Sequence, residues 1–108
     1  MNKVSFDEFA KLELRVGEIV TADSIDNSNK LLKLQVNFGD ESRQVISGIA
    51  QFYSPGELVG KQFVFVTNLE PRKIMGLESE AMILAADVDG EVVCLVPNKE
   101  VPPGTRIR

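Results

Sequence analysis

Histidine is missing from this sequence of 108 residues, and cysteine occurs only once. Without histidine the chain lacks the commonest general base and the commonest metal ligand, which excludes Ser-His-Asp and Cys-His catalytic sites and His-based zinc sites. A single cysteine, Cys94, excludes an intrachain disulfide. Because Cys94 lies within the apolar run EVVCLVP, we expect its thiol to be buried and unreactive.

Other patterns that indicate catalysis or phosphate binding are also missing. The carboxylate pairs Asp87 with Asp89 and Glu78 with Glu80 fall in segments predicted to be loops, with no nucleophile beside them. The glycines lack the GxGxxG or GxxxxGK spacing that cradles a phosphate. We therefore predict no catalytic centre, no metal site and no cofactor.

Long apolar runs are absent as well. No stretch approaches the roughly 20 apolar residues that span a bilayer, and the first residues, MNKVSFDEFAK, carry charge where a signal peptide needs an apolar core. We expect a soluble, cytoplasmic protein with no membrane contact. The length allows one modest hydrophobic core, so residues 1–108 are predicted to form a single domain.

Positive charge is in deficit, with twelve Lys and Arg against sixteen Asp and Glu and a net charge of -4. The field of the whole molecule therefore repels nucleic acid, and a polyanion would have to meet a local basic patch. Aromatic residues make up only 6% of the chain, which leaves few rings on which bases could stack. Recognition of RNA shape or backbone is thus a stronger expectation than base stacking.

The residues that are present predict mainly short strands. Ser5 is a plausible cap for a short helix over Phe6–Lys11, and from Leu12 apolar and polar residues alternate, with Gly17 predicted as a bulge. The runs LLKLQVNF, RQVISGI, QFVFVTNL, AMILAAD and EVVCLVP predict five further strands, the last of them after a turn at Asp89 and Gly90. One or two helical turns are predicted after Ser54, and the C-terminal tail is predicted to be extended. Phe63 and Phe65 share one strand face and are expected in the core. The pattern favours an all-β fold, an OB-fold five-stranded Greek-key barrel with a short helical insertion and extra C-terminal strands.

The OB-fold predicts where the basic residues lie relative to a possible binding face. The second and third strands of an OB-fold form the face that binds single-stranded oligonucleotides, and the neighbouring loops form its rim. Lys33 on the second strand and Arg43 on the third are predicted to face one groove, with Lys30 in the first rim loop. Arg72 and Lys73 fall in the rim segment NLEPRKIMGLES between the fourth and fifth strands, where Pro71 restricts the backbone. A competing interpretation is that these two cations only solubilise a loop and are neutralised by nearby glutamates.

Several ordered blocks of sequence resemble one known family almost from end to end. FDEFAKLELRVGEIV, the SGI step and NLEPRKIMGLESEAMILAA are similar to the tRNA-binding OB domain found at the C-terminus of many methionyl-tRNA synthetases and in stand-alone tRNA-binding proteins. The resemblance implies a non-catalytic domain that grips tRNA by shape, commonly as a homodimer, and that acts with the catalytic part of methionyl-tRNA synthetase. The predicted tRNA-binding residues are Lys30, Lys33, Arg43, Asn68, Arg72, Lys73, Ser79 and Met82. Arg15 and Gly17 also match the family, but they are expected to serve the barrel itself.

Two features concern the first loop and an alternative function. The first loop, Ile25–Leu31, departs from the HPxADKL pattern of many relatives because it has no His-Pro pair and carries Asn29 for the usual Asp. A related group of dimeric, chaperone-like export factors uses the same barrel and a similar opening, DFxKLxxR, to hold peptides, and this is the alternative function. If the chain dimerises, the runs VPPGTRI and EVVCLVP are the predicted apolar surface.

Overall fold

Ten strands and two short helices make up the computed structural model, which describes residues 1–108. The helices are α1 (Phe6–Ala10) and α2 (Pro55–Leu58). The strands are β1 (Leu14–Ser24), β2 (Leu32–Asn37), β3 (Ser42–Ser47), β4 (Gln62–Val66), β5 (Arg72–Ile74), β6 (Leu77–Ser79), β7 (Met82–Ile83), β8 (Ala85–Val88), β9 (Glu91–Cys94) and β10 (Arg106–Ile107).

The main sheet is antiparallel and curls into a nearly closed barrel. Its strand order is β3-β2-β1-β4-β7, and β10 also pairs with β1. The two ends of the sheet meet where Glu80 N–H donates to the Gln44 carbonyl at 2.9 Å. Small hairpins β5–β6 and β8–β9 extend from the barrel. This arrangement confirms the predicted all-β OB-fold with a helical insertion and additional C-terminal strands.

Strand β1 is long enough to pair with different strands along its length. Its first residues pair with β4 and β10, and its later residues pair with β2. The predicted bulge at Gly17 is wrong, because the irregularity lies between Ile19 and Thr21. Gly17 instead crosses the core at close range: a Cβ there would lie 2.5 Å from Val36 Cγ1 and 2.7 Å from Phe38 Cε1. Glycine is needed for this close approach rather than for a bulge.

The core is built from alternate residues of the barrel strands. Phe38 and Phe65 lie at its centre, edge to face, with ring centroids 5.3 Å apart. Phe63 and Phe65 are both buried as predicted. Cys94 is also buried, its backbone N–H donates to the Tyr53 hydroxyl, and desolvation raises the pKa of its thiol. A raised thiol pKa means that little thiolate is present near neutral pH, in agreement with the expected inert cysteine.

The predicted helices are present. Ser5 and Glu8 form a reciprocal capping box at the start of α1, which ends at Ala10, one residue earlier than predicted. The helix α2 begins at Pro55 and is followed by Gly60 at φ +84°. Neither helix is long or apolar enough to cross a membrane.

The connection between β4 and β7 differs from the prediction of a simple loop. It contains the β5–β6 hairpin, whose turn residues Met75 and Gly76 have φ angles of 51° and 79°. Positive φ at both central positions is the pattern of a tight hairpin turn, usually indicated by Asn-Gly. The sequence does not give this signal because methionine occupies the first position.

The predicted fifth strand also divides. It leaves the barrel at Leu84, after β7, and continues as β8, which pairs only with β9. The predicted turn at Asp89 and Gly90 joins these two strands, again with positive φ at both residues. The predicted hairpin is therefore present, but its first strand is separate from β7, where the sequence pattern indicates one continuous strand.

Candidate nucleic-acid interface

The outer surface of β2 and β3 is polar. On β2 the half-buried residues Lys33, Gln35 and Asn37 alternate with fully buried leucines and a valine. In the pairing register Lys33 lies opposite Ile46, Gln35 opposite Gln44 and Asn37 opposite Ser42. Directly paired residues project to the same side of a sheet, so these side chains form one outer face. Amide, hydroxyl and ammonium groups of this kind can donate hydrogen bonds to phosphate and sugar oxygens.

Arg43 does not belong to that outer face. It pairs with Val36, which is fully buried, so its side chain is directed toward the end of the barrel interior. Its guanidinium lies over the Phe38 ring, 5.9 Å from the centroid, and donates to the carbonyls of Thr67 and Glu80. The expectation that Lys33 and Arg43 face one groove is therefore wrong, because the register assigns them to opposite sides of the sheet.

Arg72 and Lys73 lie on the first strand of the β5–β6 hairpin. Arg72 is opposite Ser79, and Lys73 is opposite Glu78. Successive strand residues project to opposite faces, so the two cations lie on the two sides of the hairpin rather than side by side. Both are exposed, and neither takes part in an ion pair, although glutamates are close in sequence. Neither cation thus forms an ion pair, although Glu78 lies on the same side of the hairpin as Lys73.

The base of the hairpin is attached to β3. The Ser79 hydroxyl is buried and accepts from Ile46 N–H at 3.0 Å. The Glu80 carboxylate accepts from Gln44 N–H at 3.1 Å, and the Gln44 amide donates to the Glu78 carbonyl at 3.0 Å. These bonds hold the cationic hairpin beside the β2–β3 face.

The remaining predicted site residues divide into two kinds. Asn68 joins the barrel to the segment before β1, because its side chain accepts from Glu13 N–H at 2.7 Å and donates to the Lys11 carbonyl. Lys30 is exposed in the β1–β2 loop, and Met82 on β7 is 46% exposed. The side chains with no hydrogen bond or ion pair within the chain are those of Lys30, Lys33, Arg72, Lys73 and Met82, whereas Arg43, Asn68 and Ser79 use their polar groups internally.

Gln35 and Gln44 were not predicted as site residues, although they lie beside Lys33 on the outer face. The alternation of polar and apolar residues in β2 was a signal for Gln35. Gln44 could not be assigned in the same way, because its position opposite Gln35 depends on the β2–β3 register.

A cluster of charged side chains that includes Arg43 lies at the end of the barrel. Arg15 pairs with Asp40 at 2.9 Å and also contacts Glu41 at 3.5 Å, and Arg43 pairs with Glu41. The hydrogen bond from Arg15 lowers the pKa of the Asp40 carboxyl, and the one from Arg43 lowers the pKa of the Glu41 carboxyl. Arg15 also donates to the carbonyls of Phe38 and Gly104. It holds barrel and C-terminal segments together, as expected from the sequence.

A five-stranded antiparallel barrel with a polar face on its second and third strands and a basic rim hairpin has the architecture of oligonucleotide-binding proteins. Residues 14–106 match the family described as "Putative tRNA binding domain", and the chain belongs to that family. The resemblance seen in the sequence blocks is thereby confirmed.

Individual relatives agree with this assignment. The chain is 50% identical over 105 residues to a methionine–tRNA ligase from Archaeoglobus fulgidus, an alignment that covers 97% of this chain and 16% of the ligase. It thus spans about one sixth of that relative's length. The crystal structure of a MetRS-related protein from Pyrococcus horikoshii is 41% identical, with a TM-score of 0.95 and full coverage of both chains. The chaperone CsaA from Bacillus anthracis is 33% identical, with a TM-score of 0.92 over 99% of this chain and 100% of CsaA.

Proposed function

We propose that this chain is a non-catalytic tRNA-binding module that raises the affinity of methionyl-tRNA synthetase for tRNA in the cytoplasm. It acts as a single domain over residues 1–108, either as the C-terminal domain of the synthetase or as an auxiliary subunit. Contacts to the RNA backbone give shape-based recognition with little dependence on sequence. The observation that carries the proposal is the pair of unpaired cations, Arg72 and Lys73, held beside the polar β2–β3 face.

The surroundings of the cations support this function. Four ion pairs use only Arg15 and Arg43 as cations, which leaves the hairpin cations free for an external anion. A free cation can release condensed counterions when it meets a phosphate, and this release supplies much of the affinity for nucleic acids. Because the whole chain carries a net charge of -4, binding is confined to the face where free cations are concentrated.

Filter binding with bulk tRNA at several salt concentrations tests the proposal. We expect the logarithm of the binding constant to fall linearly with the logarithm of the salt concentration. Replacement of Arg72 and Lys73 by alanine should weaken binding and reduce the slope by about one for each lost phosphate contact. The double variant Lys61→Ala/Lys99→Ala is a matched control, because it also removes two exposed cations but leaves the hairpin intact. Undetectable or salt-independent binding of the unmodified protein contradicts the proposal.

Sequence tolerance is tested with separate tRNAs. If the contacts are to the backbone, the Arg72→Ala/Lys73→Ala variant should lose affinity for initiator, elongator and unrelated tRNAs by about the same factor. A loss limited to one tRNA indicates base recognition instead, and contradicts shape-based binding.

We further propose that two copies of the chain associate through the groove between α1 and β10. Phe6, Phe9, Leu12 and Ile107 line this groove, and Phe6 is 79% exposed. Acidic Asp7 and Glu8 lie on α1, whereas Arg106 and Arg108 lie at the other wall. A two-fold symmetric contact brings unlike walls together, so the opposite charges favour a second copy as the occupant. Ile107 belongs to the apolar run VPPGTRI that the sequence indicated.

Peptide binding is the second candidate function, and the similarity to the chaperone CsaA favours it. An extended apolar peptide could then occupy the α1–β10 groove in place of a second copy. Competition distinguishes the two functions. An unfolded polypeptide should not displace labelled tRNA if the module is specific for RNA, whereas displacement at comparable concentration supports the peptide-binding alternative.

A further inference from the structure

One guanidinium joins both ends of the segment that carries the hairpin cations. Thr67 is the first residue after β4 and begins the connection that contains β5 and β6, and Glu80 is the first residue after β6. Nη1 of Arg43 donates to the carbonyl oxygens of both residues. A single side chain from β3 therefore bonds to both ends of this connection, and Glu13 also accepts hydrogen bonds from Thr67.

Arg43 is itself held in place on three sides. Its Nε donates to the Glu41 carboxylate, and its guanidinium lies over the Phe38 ring. Only 21% of the side chain is exposed. Glu41 in turn contacts Arg15, so the guanidinium is part of a network that extends across the barrel end. A side chain with all these partners cannot turn outward to a phosphate without breaking several bonds at once.

The next residues of β3 continue the attachment. Gln44 bonds Glu78 and Glu80, and Ile46 bonds the buried Ser79 hydroxyl. These bonds hold β6, the second strand of the hairpin, but they do not involve the residues that precede β5. Of the residues on β3, only Arg43 bonds to Thr67, at the start of this connection.

We propose that Arg43 is a positioning residue for tRNA binding. It sets the direction in which the β5–β6 hairpin leaves the barrel, and thereby places Arg72 and Lys73 against the β2–β3 face, without contacting the RNA. This inference rests on the proposed function. It replaces the direct contact that the sequence predicts for Arg43 with an indirect role.

A double-mutant cycle tests the inference against a direct contact. We expect Arg43→Ala to weaken tRNA binding by about tenfold in the unmodified protein, and by less than about twofold in the Arg72→Ala/Lys73→Ala background, because the hairpin then has no cations to place. A direct phosphate contact predicts the same loss in both backgrounds. Equal losses therefore overturn the inference, as does full affinity in Arg43→Ala.

Amide hydrogen exchange of the free protein gives a readout that is independent of tRNA. In Arg43→Ala the amides of residues 72–79 should exchange several-fold faster relative to the β1–β2 amides, and Arg43→Lys should restore part of the protection by donating to one carbonyl. Arg15→Ala is the matched control, since Arg15 belongs to the same network but bonds Phe38 and Gly104 rather than the hairpin ends. If Arg43→Ala accelerates all amides equally, its role is only general stability and the inference is wrong. The unmodified protein could fail to bind tRNA while exchange in residues 72–79 is still faster in Arg43→Ala. That outcome contradicts the proposed function but supports the role of Arg43 in holding the hairpin.

Discussion

Cations of the same type have different roles in this protein because their surroundings differ. Arg15 and Arg43 are largely buried, and their donors are taken by carboxylates and backbone carbonyls. Arg72 and Lys73 are exposed, and their side chains form no hydrogen bond or ion pair within the chain. Removal of a buried, hydrogen-bonded charge leaves several groups unsatisfied, whereas removal of an exposed one mainly changes the external field. We therefore expect stability to depend on the first pair, and direct contact with tRNA to depend on the second.

The pH dependence of stability tests the charged cluster at the barrel end. The pKa of Asp40 in the folded protein lies below its ordinary value of 3.8, and that of Glu41 lies below 4.5. The unfolded chain therefore binds protons more readily, so the contribution of these carboxylates is complete above the unfolded values and is lost as pH falls through the folded ones. We expect Asp40→Asn/Glu41→Gln to flatten the loss of unfolding free energy between about pH 5 and pH 3.

Urea unfolding at a series of pH values measures this effect. Asp26→Asn/Glu91→Gln is the matched control, because it removes two exposed carboxylates that form no ion pair or side-chain hydrogen bond. The control should retain the pH dependence of the unmodified protein. Identical slopes for both double variants contradict the assigned role of Asp40 and Glu41.

Gly17 provides a test of packing at the point where β1 crosses the core. Alanine there would place its Cβ less than 3.0 Å from Val36, Phe38 and Phe65. Excess volume of this kind in a close-packed core costs about 1–3 kcal/mol, so we expect Gly17→Ala to lower Tm by roughly 5–15 °C. Thermal unfolding followed by circular dichroism measures the shift. Gly48→Ala is the control, since no atom lies within 4 Å of its added Cβ, and a similar fall in that variant refutes the packing argument.

The sequence predicted residue environments only where a local pattern defines them. Phe63 and Phe65 were assigned to the core because they share one face of a predicted strand, and both are buried. Arg43 was assigned to the wrong face, since its environment depends on the register with β2 and on carbonyls far away in the chain. Its positive charge suggested RNA, and the intramolecular acceptors that use its donors could be found only in the folded structure.

Among the structural elements, the β5–β6 hairpin contains the least favourable backbone conformation close to the proposed site. Met75 has a φ angle of 51°, a conformation that costs a non-glycine residue about 1 kcal/mol and that asparagine tolerates better. Met75→Asn should therefore slow amide exchange in residues 72–79 about two- to fivefold, while the Tm of the barrel stays unchanged.

Gly76→Ala is the opposite variant for the same turn. Gly76 has a φ angle of 79° and an open space around it, so an added methyl group brings strain without a clash. Exchange in the hairpin should become faster in this variant. If both substitutions change the exchange rate in the same direction, turn conformation does not determine the order of the hairpin.

Strands and helices were predicted correctly where their sequence pattern was long or distinctive, and they were missed where it was short. Strands β1 and β2 were predicted because polar and apolar residues alternate over five or more positions, β3 and β4 were predicted from short runs rich in apolar residues, and α1 was predicted from its cap. The β5–β6 hairpin was missed because its strands have three residues each and its turn has an unusual residue. The division between β7 and β8 was missed because the apolar run AMILAAD continues through the point where pairing changes from β4 to β9.

At the scale of the whole molecule, apolar and charged surfaces are separated. The free cations Lys30, Arg72 and Lys73 lie on the first loop and the hairpin, whereas the exposed phenylalanines lie on α1 beside β10, where Arg106 and Arg108 also line the groove. A dimer formed through the α1–β10 groove would leave both copies of the hairpin free. Two sets of cations on one particle then increase the apparent affinity for a long polyanion only if one tRNA can reach both.

The stability of a dimer depends on protein concentration, so thermal unfolding at several concentrations tests whether the chain associates. If folding is linked to association, Tm should rise by a few degrees between about 1 and 100 µM protein, and sedimentation should show dimers at the higher concentration. Phe6→Ser should abolish both effects without lowering the Tm of the dilute protein, because no residue of α1 is buried within one chain. Val93→Ser tests the other predicted surface, EVVCLVP, since Val93 is 45% exposed on β9. Loss of association in Val93→Ser but not in Phe6→Ser assigns the interface to the β8–β9 hairpin, and a concentration-independent Tm with monomers throughout rules out the dimer.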